Sequence, residues 1–149
     1  LKKRTIIILA CILIAIGVSY GLKEFYRKPK DIMDIKASFA LTTKELTKAF
    51  TDDVNAATKM YVGKPIELKS VLTSIEKDDS GNFILIFSDS TSNISIRASL
   101  AKEDNEEGAS VKPGDFILLK GFCNGYNQDD LLGSDIILDR SAIIETNFN

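Results

Sequence analysis

Lys112-Pro113-Gly114-Asp115-Phe116-Ile117-Leu118-Leu119-Lys120-Gly121-Phe122-Cys123-Asn124-Gly125 is the stretch whose reading decides the fold. It closes a region that opens at Lys64-Pro65-Ile66-Glu67-Leu68, in which strand-length apolar runs are separated by clusters of Gly, Pro, Asp and Asn. That pattern describes a small closed or nearly closed antiparallel sheet. Pro113-Gly114-Asp115 turns the chain into a strand over 116–124, and Gly121 inside that strand implies a tight bend or a close backbone approach.

Working outward, a strand is expected over 66–77 with a change of phase: Ile66 and Leu68 share one face, and Val71, Thr73 and Ile75 share the other. A bulge or bend near Lys69-Ser70 would reconcile the two. Asp78-Asp79-Ser80-Gly81-Asn82 has the composition of a hairpin loop. Phe83-Ile84-Leu85-Ile86-Phe87 follows as a strand apolar on both faces, so its outer face needs a cover. Ile94, Ile96, Ala98 and Leu100 alternate with Ser95, Arg97 and Ser99, which assigns the first set inward. A last strand is expected over about 135–145.

Upstream, Thr42-Thr43-Lys44-Glu45 has the form of a capping box and starts a helix. Leu46, Phe50, Val54, Ala57 and Tyr61 then recur at helical spacing on one face, and Gly63 and Pro65 stop it. No pattern holds over 29–42, which reads as a linker. Thr5 to Leu22 carries no charged residue, and its Ile6, Ile7, Ile8, Leu9, Ile12, Leu13 and Ile14 make it apolar all round. About 18 residues at 1.5 Å rise approach the hydrocarbon thickness of a bilayer. The reading taken is an uncleaved membrane anchor; the competing one is a cleaved signal, for which Ala15-Ile16-Gly17 is a weak site. Lys2-Lys3-Arg4 before the segment places its start in the cytoplasm and the domain outside. Lys23, Arg27, Lys28 and Lys30 after it read as snorkelling side chains at the headgroups.

Charge is divided unevenly along the 149 residues. Residues 1–30 carry seven Lys or Arg against one Glu, a net of +6, so the total of −2 leaves −8 on 31–149. An acidic domain disfavours general binding to a phosphate backbone. With no His, the common neutral-pH general base and the Ser-His and Cys-His pairs are missing, and no catalytic constellation is expected. Asp78-Asp79, Asp104-Asn105-Glu106-Glu107 and Asp129-Asp130 lack the EF-hand register, so no metal and no cofactor are expected. Cys11 lies in the apolar segment and Cys123 in a strand, so both are expected as free thiols.

Thr43-x-x-Leu46, Ala57-x-x-x-Tyr61-x-Gly63-Lys64-x-Ile66-x-Leu68 and Pro113-Gly114-Asp115-x-Ile117-x-Leu119-Lys120-Gly121-x-Cys123-x-Gly125 resemble the tRNA-anti-like OB-fold family of bacterial exported proteins, over roughly 43–144. The resemblance implies a mainly β domain: a five-stranded OB-type barrel preceded by an amphipathic α-helix and an N-terminal transmembrane helix. The segments are then 1–28 (anchor or uncleaved signal), 29–42 (linker) and 43–149 (domain). Ser70 stands where the family tends to have Gly, and Ser141 where a second Cys would pair with Cys123, which leaves Cys123 as a small buried residue.

In such a barrel the second and third strands and their loops form the ligand face. Phe83, Phe87 and Tyr126 are its candidate aromatics, and Lys69, Arg97 and Lys120 its candidate cations. The bland account of the same residues is core packing for the Phe rings and solvation for the cations. The expected function is that of a non-catalytic binding or accessory module at the bacterial inner membrane, single-pass, with its domain in the periplasm. Its expected partner is a protein, such as a member of a membrane complex. An oligonucleotide- or oligosaccharide-binding role is the alternative, and the sequence leaves the oligomeric state open.

Overall fold

The computed structural model describes residues 3–26, 31–129 and 133–147. Lys2, Arg27, Lys28, Lys30, Asp130 and the last two residues, on which parts of the sequence reading fall, lie outside the described residues. The chain forms two compact units, residues 1–30 and residues 31–149.

The first unit is one helix, α1 (Lys3–Phe25). Within it Thr5–Phe25 is long and apolar enough to cross a membrane by length and composition, a property that signal sequences share. Ile6, Ile7, Ile8, Leu9, Ile12, Leu13 and Ile14 are all exposed along it. Such a helix is apolar on every side, as lipid-facing helices are.

The second unit is mainly β. It contains β1 (Phe39–Thr42), α2 (Thr43–Asp52), α3 (Val54–Tyr61), β2 (Pro65–Val71), β3 (Ser74–Lys77), β4 (Phe83–Ser88), β5 (Ile94–Leu100), α4 (Asn105–Gly108), β6 (Phe116–Asn127) and β7 (Ser134–Thr146). Short 3-10 turns occupy Ile32–Asp34 and Lys102–Asp104. The sheet has seven strands in the order β1-β2-β6-β7-β5-β4-β3, with β1–β2 and β5–β7 parallel and the other neighbours antiparallel.

The sheet has seven strands where five were expected, for two physical reasons. Phe39–Thr42 falls in the stretch read as a linker, yet its alternating Phe39 and Leu41 pack against the core and its backbone pairs with β2. Four residues are too few for a period-2 pattern to stand out. Secondly, the stretch expected as one strand changes partners at Leu72-Thr73. Leu72 N donates to Asp115 O at 2.9 Å and its carbonyl accepts from Gly114 N at 2.8 Å, whereas Thr73 N donates to Ile86 O at 2.9 Å. The break is not at Lys69-Ser70, where the β2–β6 ladder runs unbroken from Pro65↔Phe122 to Val71↔Phe116.

The capping box forms as its spacing predicts. Thr42 is the N-cap of α2, its N–H donating to Glu45 Oε2 at 2.8 Å while Glu45 N donates to Thr42 Oγ1 at 3.3 Å. The Thr42 N–H and the Thr42 hydroxyl, which donates to the same Oε2 at 2.8 Å, hold the Glu45 carboxyl below its ordinary range. The expected single helix is broken at Asp53, whose backbone is extended (φ −158°) and whose carboxylate accepts from Ala56 N at 3.0 Å. One residue thus ends α2 and caps α3. The break leaves Leu46, Phe50, Ala57 and Tyr61 buried but Val54 exposed.

Leu46 and Phe50 enter the core beside Ile66, Leu68, Leu85, Phe87, Ile96, Ile117, Leu119, Ile136 and Leu138, all fully buried. β5 alternates as expected, with Ile94, Ile96, Ala98 and Leu100 inside. At the far end of β4 from the 89–93 loop, α4 brings Gly108 onto Phe83. A Cβ there would lie 2.7 Å from the Phe83 side chain and 2.8 Å from Leu100 Cδ1, so only glycine permits the approach.

Candidate binding faces

Two surfaces of the sheet domain gather polar side chains. The first is the outer face of β3, β4, β5 and β7. Register places Ser74, Ile86, Arg97 and Ile137 in one row, and Glu76, Ile84 and Ser99 in the next. Ser88, Ser95 and Asp135 form a third row, with the Ser88 and Ser95 hydroxyls 3.2 Å apart. Arg97 is central, and its guanidinium donates to Glu76 Oε2 at 2.5 Å. Burial raises the Asp135 carboxyl above its ordinary pKa; Arg97 opposes that rise and Glu76 adds to it. One cation therefore faces two carboxylates. The half-buried Ile84 and Ile137 flank it.

The second surface is a cleft of about 940 Å³ where the α2–α3 elbow meets the 89–93 loop and the start of β7. Thr51, Thr91, Ser92, Asn93, Gln128 and Ser134 supply hydroxyls and amides, over a floor that includes Phe50, Ile94 and Tyr126. A smaller recess of about 200 Å³ shares Thr51, Thr91 and Ser92 and extends along α2 past Lys44 and Lys48. Lys48 is paired with Asp52 at 2.6 Å. Asp89 accepts from Thr91 Oγ1 at 2.8 Å and from Thr91 N at 3.1 Å, which holds its carboxyl below the usual range, with Lys44 adding to the effect.

The six sequence-predicted residues do not share either surface. Phe87 is fully buried. Phe83 is half-buried, packs on the core and lies under Lys77 Nζ at 4.4 Å from the ring centroid. Its N–H donates to Asn105 Oδ1 at 2.7 Å. Tyr126 lines the cleft and stacks on Phe50 at 5.1 Å and 22°. Arg97 is on the outer face described above. Lys69 and Lys120 belong to β2 and β6, three and two strands away from β5 in the sheet, with Lys120 Nζ donating to Met33 O at 3.5 Å. Sequence reading missed the carboxylates Glu76 and Asp135 beside Arg97. It also left Asp89-Ser90-Thr91-Ser92-Asn93 unassigned, although Asp two residues before Thr is legible as a side-chain-stabilised turn.

Among the described residues no group of three or more Cys, Asp or Glu side chains gathers as a metal-binding set. Cys123 is buried, and burial pushes its thiol up to about 11. Cys11 is an exposed free thiol of α1.

The sequence model of one family, tRNA_anti-like, matches residues 1–136. The chain belongs to the tRNA_anti-like family. Among solved structures, this tRNA_anti-like chain is similar to a Klebsiella pneumoniae subsp. pneumoniae MGH 78578 protein provisionally described as a nucleic acid-binding lipoprotein. The two share 14% identity, with a TM-score of 0.58 over 80% of this chain and 100% of the other. At that identity the likeness is one of fold. No curated protein matches the chain.

Proposed function

We propose that the chain is a non-catalytic binding module, tethered by α1 to the bacterial inner membrane with its sheet domain in the periplasm, and that it works on a protein partner. In this reading β2 and β3 are two halves of one bent strand and the sheet curls into an OB-type barrel. The support is that two residues join strands at distant places in the sheet order, and that Leu72 and Thr73 bond to opposite neighbours. The observation that carries the partner reading is the outer face: the half-buried Ile84 and Ile137 beside an arginine already paired with carboxylate. A mixed face with apolar side chains and a satisfied ion pair suits a protein surface. Recognition of single-stranded nucleic acid calls for unpaired cations and stacking platforms.

The test is copurification in mild detergent of the full chain against its Ile84→Asp variant. The expected result is a partner that the wild type retains and the variant loses while remaining folded. A solitary wild-type protein would overturn the reading.

A second reading, oligonucleotide binding, is favoured by the description of the Klebsiella protein. Weighing against it are the −8 charge on 31–149 and the dispersal of Lys69, Arg97 and Lys120 over three strands. Filter binding of single-stranded oligonucleotides at low salt tests it, because phosphate-driven binding strengthens as salt falls. Retention that disappears with added salt would support it, and no retention at low salt would remove it.

A further inference from the structure

A third surface runs along the outer side of β2 and β6. Alternation in β6 turns Phe116, Leu118, Lys120 and Phe122 outward, while Ile117, Leu119 and Cys123 are buried. Register sets Phe116 beside Val71, Leu118 between Lys69 and Glu145, and Lys120 beside Glu67. Phe116 and Val71 are both exposed, an aromatic and a β-branched side chain next to each other at the surface. Further along β6, Lys120 Nζ donates to Met33 O at 3.5 Å, which brings the 3-10 turn Ile32–Asp34, with its exposed Met33, onto the strip. Two lysines stand against two carboxylates here, so the strip is close to neutral although residues 31–149 carry −8.

That turn is where the sheet domain begins. Its Ile32 is buried, and the turn packs on β6 and β7. Five residues, 26–30, separate Asp31 from the last residue of α1, and a fully extended chain of that length reaches about 20 Å. Tyr20, Phe25 and Tyr26 are exposed toward the end of α1 near Lys23, and aromatic and basic side chains together mark the headgroup level of a spanning helix. With α1 in the bilayer, the reading on which this inference rests, Asp31 stays within about 20 Å of the headgroups. Domains of about 100 residues have a radius of gyration of about 13 Å, so this tether is shorter than such a domain is wide, and the surface around Asp31 is what lies nearest the lipid. The two sides of the turn differ. Toward β5, burial and then the charges of Asp31, Glu107 and Glu103 raise the Asp104 carboxyl above its ordinary range, and anionic headgroups repel such a side. Toward β2 lies the neutral, apolar strip.

We propose that the strip of Val71, Phe116, Leu118 and Met33 rests on the phospholipid surface, its apolar side chains at the boundary between headgroups and acyl chains. Lys69 and Lys120 lay their stems along it and reach the phosphates with their ammonium groups. The outer faces of β5 and β4 are two and three strands from β6 in the sheet order, so lipid and a protein partner do not compete for the same residues.

The chain has no Trp, so a single introduced tryptophan reports its own surroundings. The experiment places the full chain in vesicles of phosphatidylcholine and phosphatidylglycerol, with and without bromine near the headgroup end of the acyl chains as quencher. Phe116→Trp and Val71→Trp, both at exposed positions, are expected to emit at shorter wavelength and to lose about half of that emission to the bromine, since interfacial side chains sit about 5–10 Å into this boundary. Either variant suffices if the other fails to fold. Tyr20→Trp reports α1 and is expected to be quenched too. Ser80→Trp lies in the exposed 78–82 turn, which Asn105 Nδ2 ties to the acidic side by donating to Gly81 O at 3.5 Å, and it is expected to stay unquenched. Quenching at Tyr20→Trp with none in the folded Phe116→Trp and Val71→Trp chains overturns the lipid contact and leaves the anchor standing. No quenching at Tyr20→Trp overturns the anchor and this inference with it. Quenching of Ser80→Trp as strong as that of Phe116→Trp overturns the choice of face, and a blue shift at Phe116→Trp without quenching gives the strip to a second copy of the chain and overturns the lipid contact as well. Loss of a copurifying partner in the Ile84→Asp variant would leave all of these readouts unchanged.

Discussion

Gly121→Ala tests how tightly β6 and β7 are fitted together. Gly121 lies where the β6–β7 register shifts between Lys120 and Phe122, opposite a bulge that takes Arg140 to φ +48°. A Cβ at Gly121 would fall onto Ser141 Oγ and stand 3.2 Å from Ser141 Cβ and 3.3 Å from Leu138 Cβ. Those last two atoms belong to a strand paired on both sides and cannot withdraw without disturbing its ladders. Overpacking of this kind costs about 1–3 kcal/mol. Ser141 is itself fully buried, and its hydroxyl is without a hydrogen-bond partner among the described residues. Ser141→Ala should therefore be neutral or raise stability by roughly 1 kcal/mol, since a buried unsatisfied hydroxyl bears a desolvation penalty of that order. The same change removes the atom that the new Cβ strikes first. The double variant should accordingly recover part of the loss, with a coupling of about 1–2 kcal/mol between the two sites. Urea unfolding of the full chain followed by tyrosine fluorescence reads all four states, as the chain has four Tyr and no Trp. With a slope of roughly 1–3 kcal/mol per molar, Gly121→Ala should lower the midpoint by about 1 M. A midpoint unchanged in Gly121→Ala, or a double variant no better than the single, would refute the argument from close approach.

Asp53→Ala should cost about 0.5–2 kcal/mol in the same urea assay, because the side chain that accepts from Ala56 N is lost at the junction of two helices; an unaltered midpoint would remove Asp53 as a cap. Phe50→Ala should cost about 3–5 kcal/mol, the ring being fully buried and stacked on Tyr126. A loss under 1 kcal/mol would mean that α2 does not anchor the core. Cys123 should resist alkylation in the folded chain at pH 8 and react once guanidinium unfolds it, and rapid labelling of the native form would contradict its burial. Its thiol is pushed up to about 11 from 9.0, so as pH rises above about 9 the unfolded chain loses the proton first and stability falls. The fall should reach roughly 2–3 kcal/mol by pH 11 and be absent below pH 9. Stability that Cys123→Ala leaves equally steep over that window would assign the slope to other groups.

Features fixed by a few neighbouring residues were legible in the sequence. The Thr42–Glu45 box, the inward set of β5 and the close approach at Gly121 each follow from residue type and spacing, because each rests on local geometry. The strand count was not legible. β1 exists because Phe39 packs edge-on against Tyr61 at 4.9 Å, a contact between residues far apart in the chain. The break at Leu72-Thr73 exists because Asp115 and Ile86 compete for adjacent amides, and no pattern within 66–77 records where those partners lie. The candidate site failed in a similar way: Arg97 looks like a free cation along β5, and only the cross-strand register brings Glu76 and Asp135 to it.

The alternation along each strand explains why family membership and ligand are separate questions here. In β5, positions 94, 96, 98 and 100 face the core and are constrained by packing volume, while 95, 97 and 99 face out and are constrained only by what they meet. A fold can therefore be kept at 14% identity while every outward residue changes. An inward set held by packing is enough for a likeness of fold, and the outward set is where this chain states its own chemistry. On the outer face that chemistry is one guanidinium facing two carboxylates, with the half-buried Ile84 and Ile137 beside it. At the elbow it is hydroxyls and amides over Tyr126. Neither arrangement supplies the unpaired positive charge that a phosphate backbone requires, so replacing Glu76 and Asp135 with Gln and Asn should be needed before the outer face gains affinity for single-stranded oligonucleotides at low salt. Wild-type protein that binds such oligonucleotides as tightly as that double variant would show that the carboxylates do not set the ligand.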